Sequence, residues 1–504
     1  MKAVAKSILP TQLPSNGNLR ASVSLILASG GDERIWPEPI SGRNRYGTKM
    51  LPAPDEIGFS STTASNISEP GFVAASRALE RLFGFDGRSI VTPDQWCDEI
   101  RSRIGECFGA GEQQVVLAAS GTDAELLTLG LVAGLASRPI TNVFVAPDET
   151  GNGIPLAAAG RHFAGLTALA QTVSHGQPVD GFEAAHIEVR TIAIRDESGR
   201  PREPKAVDRD VAIVVEEELK RGRDVLLHVL DTSKTGLTGP TRQLARNLIA
   251  VGPERLRVVV DACQLRCPLS LIQRDLNDGF IVNVTGSKFV AGPAFAGALL
   301  LPRGLADEIA ARAGLPAGLC DYTAAFDWPS PLRDSLGIAF KSQANIGLGL
   351  RWIAALESLS RLSAINALRH AEITRHFANQ VRVRAARVEG LSFHPDDGEA
   401  VTLPSIVCLT PLDKDGGFIS IEEANRIRTE LRDASLGPVC HVGQAVQVGP
   451  RAILRMSLSA GDIADLATGM DGGQPIEVAF KPVGERLDAL FAKWSRRASR
   501  AQSV

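Results

Sequence analysis

Between residues 113 and 302, short apolar runs rich in branched side chains alternate with stretches whose apolar positions recur at helical spacing. The runs are QVVLAAS, NVFVAP, IEVRTIAI, DVLLHVLD, RVVVDA, FIVNVTG and GALLLP, and they predict seven strands separated by helices. Strands that are apolar throughout have both faces covered, so the pattern predicts a layered α/β sheet. Ligands of such sheets collect at the C-terminal ends of the strands, which makes the residues following each run the ones to read for chemistry.

The flanks differ. The first stretch is rich in Gly, Pro and Ser and becomes helical at PGFVAASRALERLFG and PDQWCDEIRSRIGECFG. After about residue 340 a long helical region, NIGLGLRWIAALESLSRLSAINALRHAEITRHFANQVRVRA, leads to shorter strands PSIVCLTPL and AILRMSLS with the helix EEANRIRTELRDA between them. The expected division is an N-terminal arm with lead-in helices (1–110), a large domain (111–335), a connecting helix with a small C-terminal α+β domain (336–490), and a basic, frayed tail (491–504). The stretch SGGDERIWPEPISGRNRYGTKMLPAP reads equally as a lid over a site or as an arm packed on a surface.

At 504 residues, with 44% hydrophobic and 22% charged side chains, the chain has ample material for a packed interior. The 54 basic and 57 acidic residues nearly cancel, which argues against nucleic acid or an anionic membrane as partner and favours a small-molecule substrate. Seven cysteines, an odd number in a long chain, fit a reducing cytoplasm. No apolar run approaches the roughly 20 residues of a spanning helix, and the start of the chain carries no export signal.

Three strand ends carry candidate chemistry. After VVLAA, Ser120, Gly121 and Thr122 open an apolar helix, whose free N–H groups and positive dipole end can hold a phosphate; the same residues also serve as ordinary caps. After RVVV, Asp261 needs a cationic partner at that depth, and a protonated pyridine nitrogen or a salt bridge would each supply one. After FIVNV, the turn Thr285–Gly286–Ser287 leads to Lys288, which a Schiff base would relieve of its burial cost, with the two hydroxyls in reach of a phosphate.

The order SGTDAE, VDACQ, TGSK and AGP resembles the fold-type-I enzymes dependent on pyridoxal 5'-phosphate (PLP), in particular the class-V aminotransferase and cysteine desulfurase branch. The resemblance covers roughly residues 110–302 and extends through ILRMSLS. It implies a mixed, mainly parallel seven-stranded sheet with a small α+β domain, and PLP held by Lys288, 27 residues after Asp261. It further implies that Asp261 and Gln264 bind the ring nitrogen and phenolic oxygen, that Arg455 binds the substrate carboxylate, and that the enzyme is a cytoplasmic homodimer acting on a small amino acid. Thr232 and Ser233 in HVLDTSKTG stand where the family has asparagines. No aromatic residue follows NVFVAP to stack on the ring, leaving Thr150, Asn152 and His162 as candidates.

The reaction stays open among transamination, the leading expectation, and desulfuration, other lyase chemistry or decarboxylation; binding of PLP without turnover is a third class. A desulfurase requires a cysteine on a mobile loop, and Cys440, 15 residues before Arg455, is the candidate, although a lone cysteine beside a short apolar run is more often a packing residue. Cys408 reads as core. Cys263 and Cys267 in CQLRC lack a second ligand pair, so no metal is expected.

Overall fold

The computed structural model describes residues 19–84, 90–312, 314–393 and 405–501. In chain order its strands are β1 (Ile57–Phe59), β2 (Val115–Ala118), β3 (Ile140–Val145), β4 (Glu188–Ile192), β5 (Asp224–Leu230), β6 (Leu256–Asp261), β7 (Ile281–Thr285), β8 (Gly297–Leu300), β9 (Leu391–Ser392), β10 (Val407–Pro411), β11 (Cys440–Val448) and β12 (Arg451–Met456). Seven of them build one sheet in the order β2-β8-β7-β6-β5-β3-β4, parallel except for β8, which runs antiparallel to both neighbours. These are the seven predicted strands. Alternate residues serve opposite faces: Val115 and Leu117 of β2 belong to one apolar cluster, Val116 and Ala118 to another.

Helices cover both faces because the connections between parallel strands must cross over. Helix Gly121–Leu135 is buried along most of its length, which accounts for its apolar composition on every side. The long helical region after 340 is two helices, Ile346–Ser363 and Ala367–Ala385. The second is started by Asn366, whose side chain accepts from the Arg369 N–H.

A second sheet, ordered β1-β11-β12-β10-β9, forms the small domain. Three of its strands, β1, β9 and β11, were not expected. β11 is a nine-residue strand in the segment read as a loop around Cys440, with its register shifting between Gly443 and Val446. β1 comes from the N-terminal stretch and pairs parallel to β11, so the arm is built into the C-terminal sheet. The end of the chain also differs from a frayed tail: helix Lys481–Ala501 buries Phe491 and Trp494, and Lys493 Nζ donates to the carbonyls of Asp433 and Pro438 at 2.7 Å each. Among the described residues, no helix is long and apolar enough to cross a membrane.

The stretch read as a lid or an arm is tied down at several points. Arg351 on helix Ile346–Ser363 donates to the carbonyls of Leu27, Gly30 and Phe295. Arg428 donates to the Tyr46 carbonyl, and Glu56 gathers Arg43, Lys49 and His441.

Candidate functional site

At Ser120, β2 turns into helix Gly121–Leu135. Ser120 caps that helix, its Oγ accepting from the Thr122 and Asp123 N–H groups at 3.2 Å each, and it also bonds the Asp123 carboxyl. Glycine at 121 is required by close approach, since a Cβ there would stand 2.8 Å from Cys263 Sγ. The helix N-terminus is thereby brought against the residues that follow β6. Burial, with the Asp32 charge adding to it, pushes the Asp123 carboxyl up to about 7, against the pull of Ser120 and Arg34.

Asp261 ends β6 and is half-buried. One carboxylate oxygen accepts the Cys263 N–H at 3.0 Å, and no ion pair reaches it among the described residues. Burial first, then the Asp261 charge, raises the Cys263 thiol pKa well above the usual range, while Lys288 acts in the opposite direction. Lys288 itself sits in a turn folded tightly on itself, with Gly286 N donating to Ala296 O at 2.7 Å and Gly292 N to Gly286 O at 2.9 Å. A Cβ at Gly286 would lie 2.6 Å from the Ala355 methyl, so the turn is also pressed against helix Ile346–Ser363. Lys288 is half-buried and its ammonium has no acidic partner among the described residues. In the same turn Thr285 Oγ1 donates to Ala296 O at 2.8 Å and stands 2.6 Å from Ser287 Oγ.

Gln264 completes this end of the site. Its amide nitrogen donates to Thr62 O at 3.1 Å, while its Oε1 and the Thr62 hydroxyl are buried without partners. Such orphaned polar groups are costly unless something else meets them.

On the small-domain side, Arg455 of β12 faces Gly443 of β11. Its guanidinium donates to Gln444 O at 2.8 Å, Lys234 O at 3.1 Å and Thr63 Oγ1 at 3.2 Å, all neutral acceptors. Burial pulls its pKa down to about 10. Thus Asp261, Gln264 and Lys288 follow the neighbouring strands β6 and β7, with Thr285 and Ser287 in the Lys288 turn, while Ser120, Gly121 and Thr122 follow β2 at the same edge of the sheet, across β8. Arg455 approaches from the second sheet through Thr63 and Lys234.

Other expected residues are placed differently. Ser233 Oγ is committed within its own turn, accepting from Thr235 N at 3.1 Å and Leu237 N at 3.0 Å; Thr232 bonds Asp231. Cys440 is a buried residue at the start of β11, not a loop cysteine. Its thiol bonds Pro438 O, and burial pushes its pKa to about 11, so little nucleophilic thiolate is available. Of the ring-cover candidates, Thr150 donates to Pro147 O, Asn152 accepts from Lys234, and His162 Nδ1 lies 2.6 Å from the Tyr322 hydroxyl. Among the described residues no three His, Cys, Asp or Glu side chains converge as a metal site.

Sequence reading missed the segment Ser61–Ser65. Ser61 bonds Ser457, Leu458 O and Arg266; Thr62 and Thr63 meet Gln264 and Arg455; Ser65 Oγ donates to Lys288 O at 2.9 Å. The signal was present as a polar run, SSTTASN, directly after the apolar triplet IGF. Lys234 and Arg266 were also missed.

No family model matches the chain, and no curated protein matches it in sequence. Solved structures do match its fold. One described as a NifS-like protein is 12% identical, with 88% of this chain and 99% of that chain covered and a TM-score of 0.52. A mutant of C-DES with glycine covalently linked to its PLP cofactor is 14% identical, with 88% and 97% covered and a TM-score of 0.55. The cysteine desulfurase CsdA from Escherichia coli is 15% identical, with 89% and 95% covered and a TM-score of 0.51. The seven-stranded sheet with its small second domain is therefore the fold of these proteins.

Proposed function

We propose that the protein is a PLP-dependent enzyme acting on an amino acid, with Lys288 as the residue that binds PLP covalently. The observation that carries this reading is that Asp261 and Lys288, neither of them ion-paired among the described residues, follow the neighbouring strands β6 and β7 at the sheet edge where the capped helix after β2 meets Cys263. The orphaned Gln264 Oε1 and Thr62 hydroxyl fit a polar group arriving between them.

When bound, PLP supplies an electron sink for bonds at the substrate Cα. The protein's part follows from its own side chains. Asp261 holds a proton on the ring nitrogen, because an ionised carboxylate favours the protonated base opposite it. The positive end of helix Gly121–Leu135, with Ser287, receives the phosphate. Lys288, once its amine is free, moves a proton at Cα. Arg455 binds the α-carboxylate, the one charge that its neutral acceptors leave unmatched.

Transamination is the reaction this arrangement supports best, since Cys440 is buried in a strand with its thiol pKa raised. One observation favours a second reading, a carbon–sulfur lyase or desulfurase: Cys408 lies directly across from Arg455 in the small sheet. The test is the product released by the PLP-loaded protein from a panel of amino acids. Oxo acid with loss of the visible cofactor band at about 420 nm is expected; sulfide from cysteine or cystine would establish the second reading instead. We further propose a homodimer, in keeping with the resemblance.

A further inference from the structure

We infer that Lys234 is a specificity-determining residue that acts with Arg455 to clamp a substrate bearing two anionic groups, its α-carboxylate and an acidic side-chain end. The inference rests on the PLP reading above and narrows its substrate class. Lys234 follows β5 in the turn Thr232–Gly236, and Arg455 Nη1 donates to the carbonyl of Lys234 at 3.1 Å, which fixes the two residues side by side. Its ammonium finds only neutral acceptors, Asn152 Oδ1 at 3.2 Å and Asp148 O at 3.5 Å, and an ammonium has three protons to give.

The nearest buried carboxylate, Glu149, is already engaged by Arg195 and by Thr235 Oγ1. Burial, then the charges of Arg455 and Lys288, pull the Lys234 pKa down to about 8, against Glu149 and Asp148, which raise it. Lys234 and Arg455 are thus joined, and neither has a counter-ion among the described residues. A monoanionic amino acid would satisfy Arg455 and leave Lys234 facing a neutral side chain. An acidic one satisfies both. The geometry thereby selects aspartate-like or glutamate-like substrates, or their sulfinate counterparts, over alanine-like ones.

The experiment compares succinate with propionate as ligands of the PLP-loaded protein by calorimetry, in wild type, Lys234→Met and Lys234→Arg. Wild type is expected to prefer succinate by at least about tenfold, the effect of one charge-assisted contact. The ratio is expected to fall towards one in Lys234→Met and to recover in Lys234→Arg. Equal binding of the two acids by wild type overturns the inference and leaves the PLP reading standing, and this comparison needs no variant. An unchanged ratio in Lys234→Met, accompanied by weaker retention of PLP, also overturns it by assigning Lys234 to the phosphate. Failure to take up PLP at all removes the reading beneath it.

Discussion

Arg242 lies between two buried carboxylates, donating to Asp231 Oδ1 and Asp275 Oδ1 at 2.8 Å each, whereas Arg455 donates only to carbonyls and a hydroxyl. Burial alone would lower both pKa values. At Arg242 the bond to Asp275 and the Asp231 charge overcome it and hold the guanidinium above its usual value; at Arg455 burial prevails. A buried cation with its counter-ions in place is a structural tie, and one without them is a place where an anion is missing. Pairing alone does not decide the matter, because Arg351 also has only carbonyl partners. It joins Leu27 and Gly30 of the N-terminal stretch to Phe295, just before β8, and acts as a tie between segments. Arg455 differs in its position on the second sheet, with Lys234 as its neighbour.

The sharpest way to break this comparison is Arg242→Met. It strands Asp231 and Asp275 without a cation and is expected to cost about 3–5 kcal/mol in denaturant unfolding. A change below about 1 kcal/mol would remove the distinction. Glu56 offers a second structural case, since it joins the β1 arm to the small sheet through His441 Nε2 at 2.7 Å, Arg43 and Lys49. Glu56→Gln is expected to cost about 1–3 kcal/mol at neutral pH. Burial would raise the Glu56 pKa, yet the bonds from His441, Arg43 and Lys49 hold it well below the usual range. Its contribution is therefore complete above the ordinary glutamate value and is lost as pH falls further, so wild type and variant should converge in acid.

Arg455→Met should behave in the opposite manner to Arg242→Met. Stability is expected to stay within about 1 kcal/mol of wild type or to rise, while affinity for propionate and succinate falls together, as read by calorimetry. The smallest expected effect is on pH. Lys234 is charged below about 8. Succinate affinity should therefore weaken as pH rises through and beyond that value, with Arg455, Lys288, Glu149 and Asp148 as the charged groups around it, and the Lys234→Arg profile should be flat.

The same contrast explains what could be read from the chain. All seven strands of the large sheet were legible as short runs rich in branched apolar residues, although β4 carries the exposed Arg190 and Thr191, and Asp261 and Lys288 stood out as charges at or just after the ends of β6 and β7. β1 and β11 were not. β1 has three residues, too few for a period, and is held by its partner strand. β11 is interrupted by Gly443 and Gln444 and changes register there, so its alternation fails where it bends. Lys234 was passed over for a related reason. Nothing in TSKTG marks the lysine as buried, and only the pairing of its carbonyl with Arg455, 221 residues away in the chain, places it in the cleft. The Ser61–Ser65 segment likewise acquires meaning only through partners on β6, β12 and the Lys288 turn.

The central claim is the covalent role of Lys288, and the most direct measurement is borohydride reduction of the PLP-treated protein followed by peptide mass analysis. The account predicts the reduced cofactor on the peptide containing Lys288, and none retained by Lys288→Ala. Labelling of another lysine, or of no lysine in a folded protein saturated with PLP, would contradict it.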